Sequence, residues 1–376
     1  MAKKPFTPIP PMAELPPAEE INVKEILDQY LSGEIDLICV LGPTASGKTR
    51  YAVQLARQIN SLIAEKNARD KVYWSASASE KRATPLAAGG GTHDEGVGGV
   101  LFAADADQYA GAEIISADSR QVYRGMDIGT GKDLSEYEDI PYHLMDIVDA
   151  GSKYNIFEYQ RDFEQAYKDI RDRGGIPILC GGSGLYIEAA TCGYSLPEVQ
   201  PDPELRAELE KKTDEELIAQ LASLKPLHNT TDYDTRKRLI RALEIAIYEA
   251  EHPVQRTSFL PKNTYYIGTL VSRDERNARI DRRLDARIEE GMIEEIRGLI
   301  DGSHPALAPA HKPIAAEDLI YYGLEYKFVT LHITGELSLD QMRAQLATAI
   351  HQFAKRQMTW FRGMERKGIR IHWTNV

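Results

Sequence analysis

Cysteine is scarce in this sequence: Cys39, Cys180 and Cys192 are the three among 376 residues. They stand apart in apolar or glycine-rich surroundings, so they build neither a disulfide framework nor a zinc pattern. That usage suits a reducing compartment, and a cytoplasmic location is the expectation. Long apolar runs are missing too, none approaching the ~18 residues needed to span a bilayer, so no membrane contact is expected. The opening "MAKKPFTPIPPMAELPPAEE" has lysines but no apolar segment behind them, unlike a secretory signal. Residues 1–35 read as a Pro-rich leader. An excess of positive charge is also absent. A net charge of −12 argues against indiscriminate nucleic-acid binding, but allows a local basic patch on an acidic body.

What is present is an ordinary globular composition, 43% hydrophobic and 27% charged, long enough to bury a large core. "DLICVL" at 36–41 is strand-like and leads through "GPTASGKT" into "RYAVQLARQI", whose apolar residues have helical spacing. The span 61–110, with "SASASEKRAT" and "AAGGGTHDEGVGG", reads as a surface insertion within a core of 36–195. A strand at 113–116 follows. Tyr159, Phe163, Ala166, Tyr167 and Ile170 then mark one helical face, stopped at Gly174–Gly175 before the strand "IPILC". Strands alternating with helices predict a parallel sheet with helices on both faces, an α/β fold. Residues 196–235 read as a helical insertion, with a helix over about 235–250. The part from 236 to 376 includes a helix opened by the capping box of Ser338 and Gln341.

"GPTASGKT", Gly42 to Thr49, satisfies G-x-x-x-x-G-K-[ST] in full, a string expected by chance in on the order of one chain in a hundred this long. Its glycines let amides turn onto phosphate oxygens, and the following helix adds its dipole. Lys48 supplies a point charge, and the Thr49 hydroxyl is placed to ligate Mg²⁺. The pattern indicates a bound phosphate without saying which.

In such a sheet, ligands bind outside the carboxyl ends of strands. "EIISADSRQVYRGMDIGTGK" carries Asp118 to that rim, and "GGSGLY" carries Ser183. Asp118 fits three readings: a water-mediated Mg²⁺ ligand, a general base, or a plain turn-former. Ser183 is either a substrate-bonding hydroxyl or part of a tight turn.

The ordered set "GPTASGKT", "EIISADSRQVYRGMDIGTGK", "PYHLMDIVD", "IPILCGGSGLYIEA", "RKRLIRALEI" and "QFAKRQMTWFRG" resembles the tRNA dimethylallyltransferases from about 36 to 365. The resemblance implies a P-loop core with an inserted helical tRNA-binding region. It also implies transfer of a dimethylallyl group from dimethylallyl diphosphate to N6 of adenosine 37 in the tRNA anticodon loop, with Mg²⁺. The loop residues Gly42, Pro43, Thr44, Ala45, Ser46, Gly47, Lys48 and Thr49 would then hold the diphosphate, joined by Arg241. Asp118 would be the base, with Ser183 and Lys48 beside it. RNA contacts are implied for Asp118, Ser119, Arg120 and Gln121, for Lys237, Arg238, Leu239, Ile240 and Arg241, and for Gln352, Lys355, Arg356 and Gln357. This chain has Ser183 where the family usually has Thr, Lys237 for its Gln, and Tyr142 for the first His of "PHHL". His143 is read as structural. A monomer is expected. The P-loop alone also suits a nucleoside kinase, and the motif set a cousin acting on free adenylate.

Overall fold

The computed structural model describes residues 15–81, 109–192, 199–225, 235–252, 261–305 and 312–376, with the backbone alone at 69–81. Helix α1 (Val23–Ser32) precedes strand β1 (Leu37–Leu41) and helix α2 (Lys48–Lys81). Strand β2 (Gly111–Ser116) leads to the short strands β3 (Tyr123–Arg124), β4 (Tyr142–His143) and β5 (Val148–Asp149). Then come α3 (Ile156–Asp172), β6 (Gly175–Gly181) and α4 (Gly184–Thr191). Three helices follow, α5 (Pro203–Leu209), α6 (Asp214–Leu224) and α7 (Arg236–Glu251). The chain returns through β7 (Thr264–Leu270), α8 (Arg273–Glu289) and α9 (Met292–Asp301). It continues with α10 (Ala316–Tyr322), α11 (Leu324–Ile333), α12 (Leu339–Arg366) and β8 (Ile371–Asn375).

The main sheet has six strands in the order β4-β2-β6-β1-β7-β8, and every pairing is parallel. Strand periodicity divides β1 between two cores. Leu37, Cys39 and Leu41 face Tyr159, Phe163 and Tyr167 of α3 and Phe361 of α12. Ile38 and Val40 face Val53, Ala56 and Ile59 of α2. A third core joins α8 to α12 and holds Tyr123 and Met126 of the segment after β2. The parallel sheet with helices on both faces matches the sequence expectation.

Several boundaries differ. Helix α2 runs through 61–81, where the sequence reading places the start of a surface insertion; buried Ile59 and Ile63 carry its apolar face past the change in composition. Residues 82–108 lie outside the described residues. The helical excursion extends beyond 235, because Leu239, Ile240 and Leu243 of α7 share a core with Leu209, Leu217 and Leu221. The chain rejoins the sheet at β7. Neither β7 nor β8 figures in the sequence reading, although the aromatic "TYYIGTL" is a strong strand signal. Helix α12 opens with the expected box of Ser338 and Gln341.

Candidate active site

Because β1 and β2 are parallel, their carboxyl ends open on the same rim, and the loops after them line one cleft of about 940 Å³. The phosphate loop forms its floor. Ala45 has φ 62° and Gly47 φ 81°, the left-handed turns that wrap the chain around a small anion. Thr44, Ala45, Gly47, Lys48 and Thr49 face the cleft. Gly42, Pro43 and Ser46 are buried behind it, and the Ser46 hydroxyl bonds Thr269 Oγ1 of β7 at 2.6 Å. Burial lowers the pKa of Lys48, and nearby Arg283 and Arg287 lower it further; Asp118 opposes them.

The segment after β2 forms the second wall. Asp118 Oδ1 accepts from the Arg120 amide at 2.9 Å, so Asp118 closes its turn while remaining at the cleft. Turn-former and reactive carboxylate are thus compatible. Ser183 Oγ accepts from the Ser119 amide at 3.2 Å, tying the loop after β6 to the loop after β2. The Gln121 side chain is spent on the protein: its Oε1 accepts from Ser116 Oγ at 3.0 Å and its Nε2 donates to Gly131 O at 3.2 Å. The Arg120 guanidinium lies over the Tyr322 ring, 5.8 Å from its centroid.

A basic wall closes the third side. Arg279, Arg283 and Arg287 recur every fourth residue along α8 and all line the cleft. Facing them is the loop 127–133. The Glu295 carboxylate accepts from the amides of Asp127, Ile128 and Gly129 at 2.9, 2.7 and 3.1 Å. Lys132, 1% exposed, donates to Tyr123 O and Asp127 Oδ1 at 2.6 Å each and also pairs with Asp146. This scaffolding holds Gly131 against the arginines.

Several expected residues sit elsewhere. Arg241, expected at the diphosphate, does not line the cleft; it donates to Glu244 Oε2 at 3.1 Å and to Val199 O at 2.7 Å. Leu239 and Ile240, expected at RNA, are buried in the core of α5 to α7, whereas Lys237 and Arg238 are exposed. Gln357, also expected at RNA, is 6% exposed. It accepts from the Thr44 amide at 2.8 Å and donates to Gly182 O at 2.8 Å, clamping the phosphate loop to the Ser183 loop. Arg356 reaches the cleft, while Gln352 and Lys355 are exposed on α12. His143 bonds Glu113 Oε2 at 2.6 Å, a structural role as expected. Sequence reasoning missed Arg279, Arg283, Arg287 and Glu325; the only signal was the arginine density of "RNARIDRRLDAR".

Among the described residues no group of three or more His, Cys, Asp or Glu side chains is arranged to hold a metal, and no helix is long and apolar enough to cross a membrane.

Residues 121–364 match the IPP transferase family. The chain is 49% identical over 344 residues to tRNA dimethylallyltransferase 2 of Porphyromonas gingivalis, covering 90% of this chain and 94% of that one. It is 46% identical over 348 residues to tRNA dimethylallyltransferase 2 of Bacteroides fragilis, covering 91% and 94%. Its fold resembles the crystal structure of the tRNA isopentenylpyrophosphate transferase of Bacillus halodurans, with a TM-score of 0.54 and 28% identity over 90% of this chain and 89% of that chain. Sequence, fold and cleft therefore agree, and the chain belongs to the IPP transferase family.

Proposed function

We propose that this protein transfers a dimethylallyl group from dimethylallyl diphosphate to N6 of adenosine 37 in the anticodon loop of tRNA, acting as a monomer in the cytoplasm. One observation carries the reading: Asp118 and the phosphate-loop Lys48 line the same cleft, close enough for the carboxylate to act on the lysine. In the reaction, N6 bonds to the first carbon of the dimethylallyl group. The bond from that carbon to oxygen breaks, and the diphosphate leaves with the electron pair. Asp118 takes the N6 proton, which an exocyclic amine must lose as it becomes alkylated. Charge gathers on the diphosphate, where the loop amides, Lys48 and Arg283 stabilise it. Ser183 fixes the Ser119 amide beside Asp118.

Mg²⁺ bound to a diphosphate takes most of its ligands from phosphate and water and needs one or two protein oxygens. The Thr49 hydroxyl, next to Lys48 in the cleft, is such an oxygen, so the residues fit the ion. Bound there, Mg²⁺ supplies charge neutralisation on the leaving group. On the RNA side, Ser119, Arg120 and Arg356 line the cleft, and the exposed side chains of Lys237, Arg238, Gln352 and Lys355 are proposed to contact the RNA beyond it.

The test is transfer of labelled dimethylallyl diphosphate to unmodified tRNA with Mg²⁺, alongside AMP as acceptor and labelled ATP as donor. Label appears on tRNA at adenosine 37, and Asp118→Ala reduces it by at least about a hundredfold, the usual scale of a lost general base, while tRNA binding persists. Label on AMP alone would give the acceptor as a free nucleotide. Transfer from ATP alone would make the protein a kinase.

A further inference from the structure

Two arginines one turn apart on α8, Arg283 and Arg287, face the cleft in different surroundings. The Arg283 side chain is 33% exposed, whereas that of Arg287 is 9% exposed. Arg287 Nη2 is buried with no hydrogen-bond acceptor in the protein. The nearest carboxylate recorded for it, Asp133 Oδ2, lies 3.7 Å away without a hydrogen bond. The same nitrogen rests against Gly131, where a Cβ would overlap it. A void of about 20 Å³, room for one water, is bounded by Thr44 of the phosphate loop, Arg283, Arg287 and Glu325. Glu325, in the first turn of α11, forms no ion pair within 4.0 Å among the described residues. Burial pushes its carboxyl up against the pull of Arg287. Burial likewise lowers Arg287 to about 10, with Arg283 adding to the effect.

A guanidinium nine-tenths buried with an unmet donor is costly unless an anion completes it. Lys48 is close enough to feel both arginines, so one anion can satisfy all three cations. We infer that Arg287 is a diphosphate-binding residue of this cleft and that Glu325 restrains it, opposing the anion so that diphosphate is released after transfer. This rests on reading the cleft as a diphosphate site. Arg287 donates Nη2 to a diphosphate oxygen from beside Gly131. Glu325 is the carboxyl beside Arg287 at the small void, where it opposes an incoming anion.

Binding of inorganic pyrophosphate with Mg²⁺ and without tRNA tests the inference, measured by calorimetry on the full chain and on Arg287→Gln and Glu325→Gln. The dissociation constant rises about tenfold or more in the first variant, the scale of a lost charged hydrogen bond, and falls in the second. If the two residues merely hold the fold together, both variants lose melting temperature without moving affinity in opposite directions, and the inference is overturned. Should Arg287→Gln fail to fold, Glu325→Gln decides alone: tighter pyrophosphate binding supports the inference, unchanged or weaker binding overturns it. Dimethylallyl transfer by the wild type is followed in parallel. Normal transfer with unaltered affinities in both variants sinks this inference and leaves the transferase reading intact. Absent transfer with Arg287-dependent pyrophosphate binding sinks the transferase reading and keeps the anion role.

Discussion

Gly131 has φ 63°, and a Cβ there would overlap Nη2 of both Arg283 and Arg287. Any side chain therefore meets two penalties, a left-handed backbone and the displacement of two cations. Gly131→Ala is expected to weaken pyrophosphate binding by about tenfold or more, because the cations and the loop cannot keep their present spacing. Calorimetry on the variant, with a thermal melt to separate binding from unfolding, checks it. Asp118 presents the complementary case. One of its oxygens is occupied by the Arg120 amide, so the carboxylate is oriented before any substrate arrives. Orientation of that kind is why Asp118→Ala is expected to remove catalysis rather than RNA affinity.

Among the elements, the unit of α5, α6 and α7 has a charged hub. Glu244 accepts from Arg206 Nε and Nη2 at 2.7 Å each, from the Asp202 amide at 3.0 Å and from Arg241 Nη1 at 3.1 Å. Burial alone would raise its carboxyl, but these donors outweigh burial and hold it below the ordinary 4.5. A depressed folded value means the unfolded chain binds the proton more readily. The stabilisation is complete above about pH 4.5 and disappears as pH falls through the lower folded value. Glu244→Gln is expected to cost about 2 kcal/mol at neutral pH, toward the low end of charged hydrogen bonds because both arginines are over a third exposed. Melts of the variant and wild type should converge as the pH drops below that window. The same unit shows what the sequence reveals. Helices with local signals, such as α12 behind Ser338 and Gln341, were legible because capping and period lie within a few residues. The end of α2 was not, since composition changes before its apolar face does. In the candidate site, Lys48 was legible from the GPTASGKT motif, and Asp118 and Ser183 because each lies just past the end of an apolar strand. The arginines of α8 were not: beside the apolar stripe of Ile280 and Leu284, they look like any solvated stripe until the helix is known to face the phosphate loop. Gln357 misled for the same reason, a polar residue in a basic run that turns inward.

For the whole molecule, a net charge of −12 surrounds a cleft lined by Lys48, Arg120, Arg279, Arg283, Arg287 and Arg356. The cations lining the cleft concentrate positive charge there on an otherwise acidic body, which favours RNA at that face. Binding of tRNA should weaken as salt rises, and Lys355→Ala should flatten the log–log slope by roughly 0.7 to 0.9 if that side chain meets one phosphate. Filter binding across a salt series measures this; an unchanged slope would remove Lys355 from the interface. The Gln357 clamp has a consequence in time. Its bond to the Thr44 amide joins residues 313 positions apart, so the phosphate loop is completed by a helix made long after the loop itself. Local strand and helix contacts form without waiting for it, whereas so distant a closure is slow. A nascent chain thus carries an intact GPTASGKT motif well before it can grip a phosphate, and competence for the substrate arrives among the last events of folding.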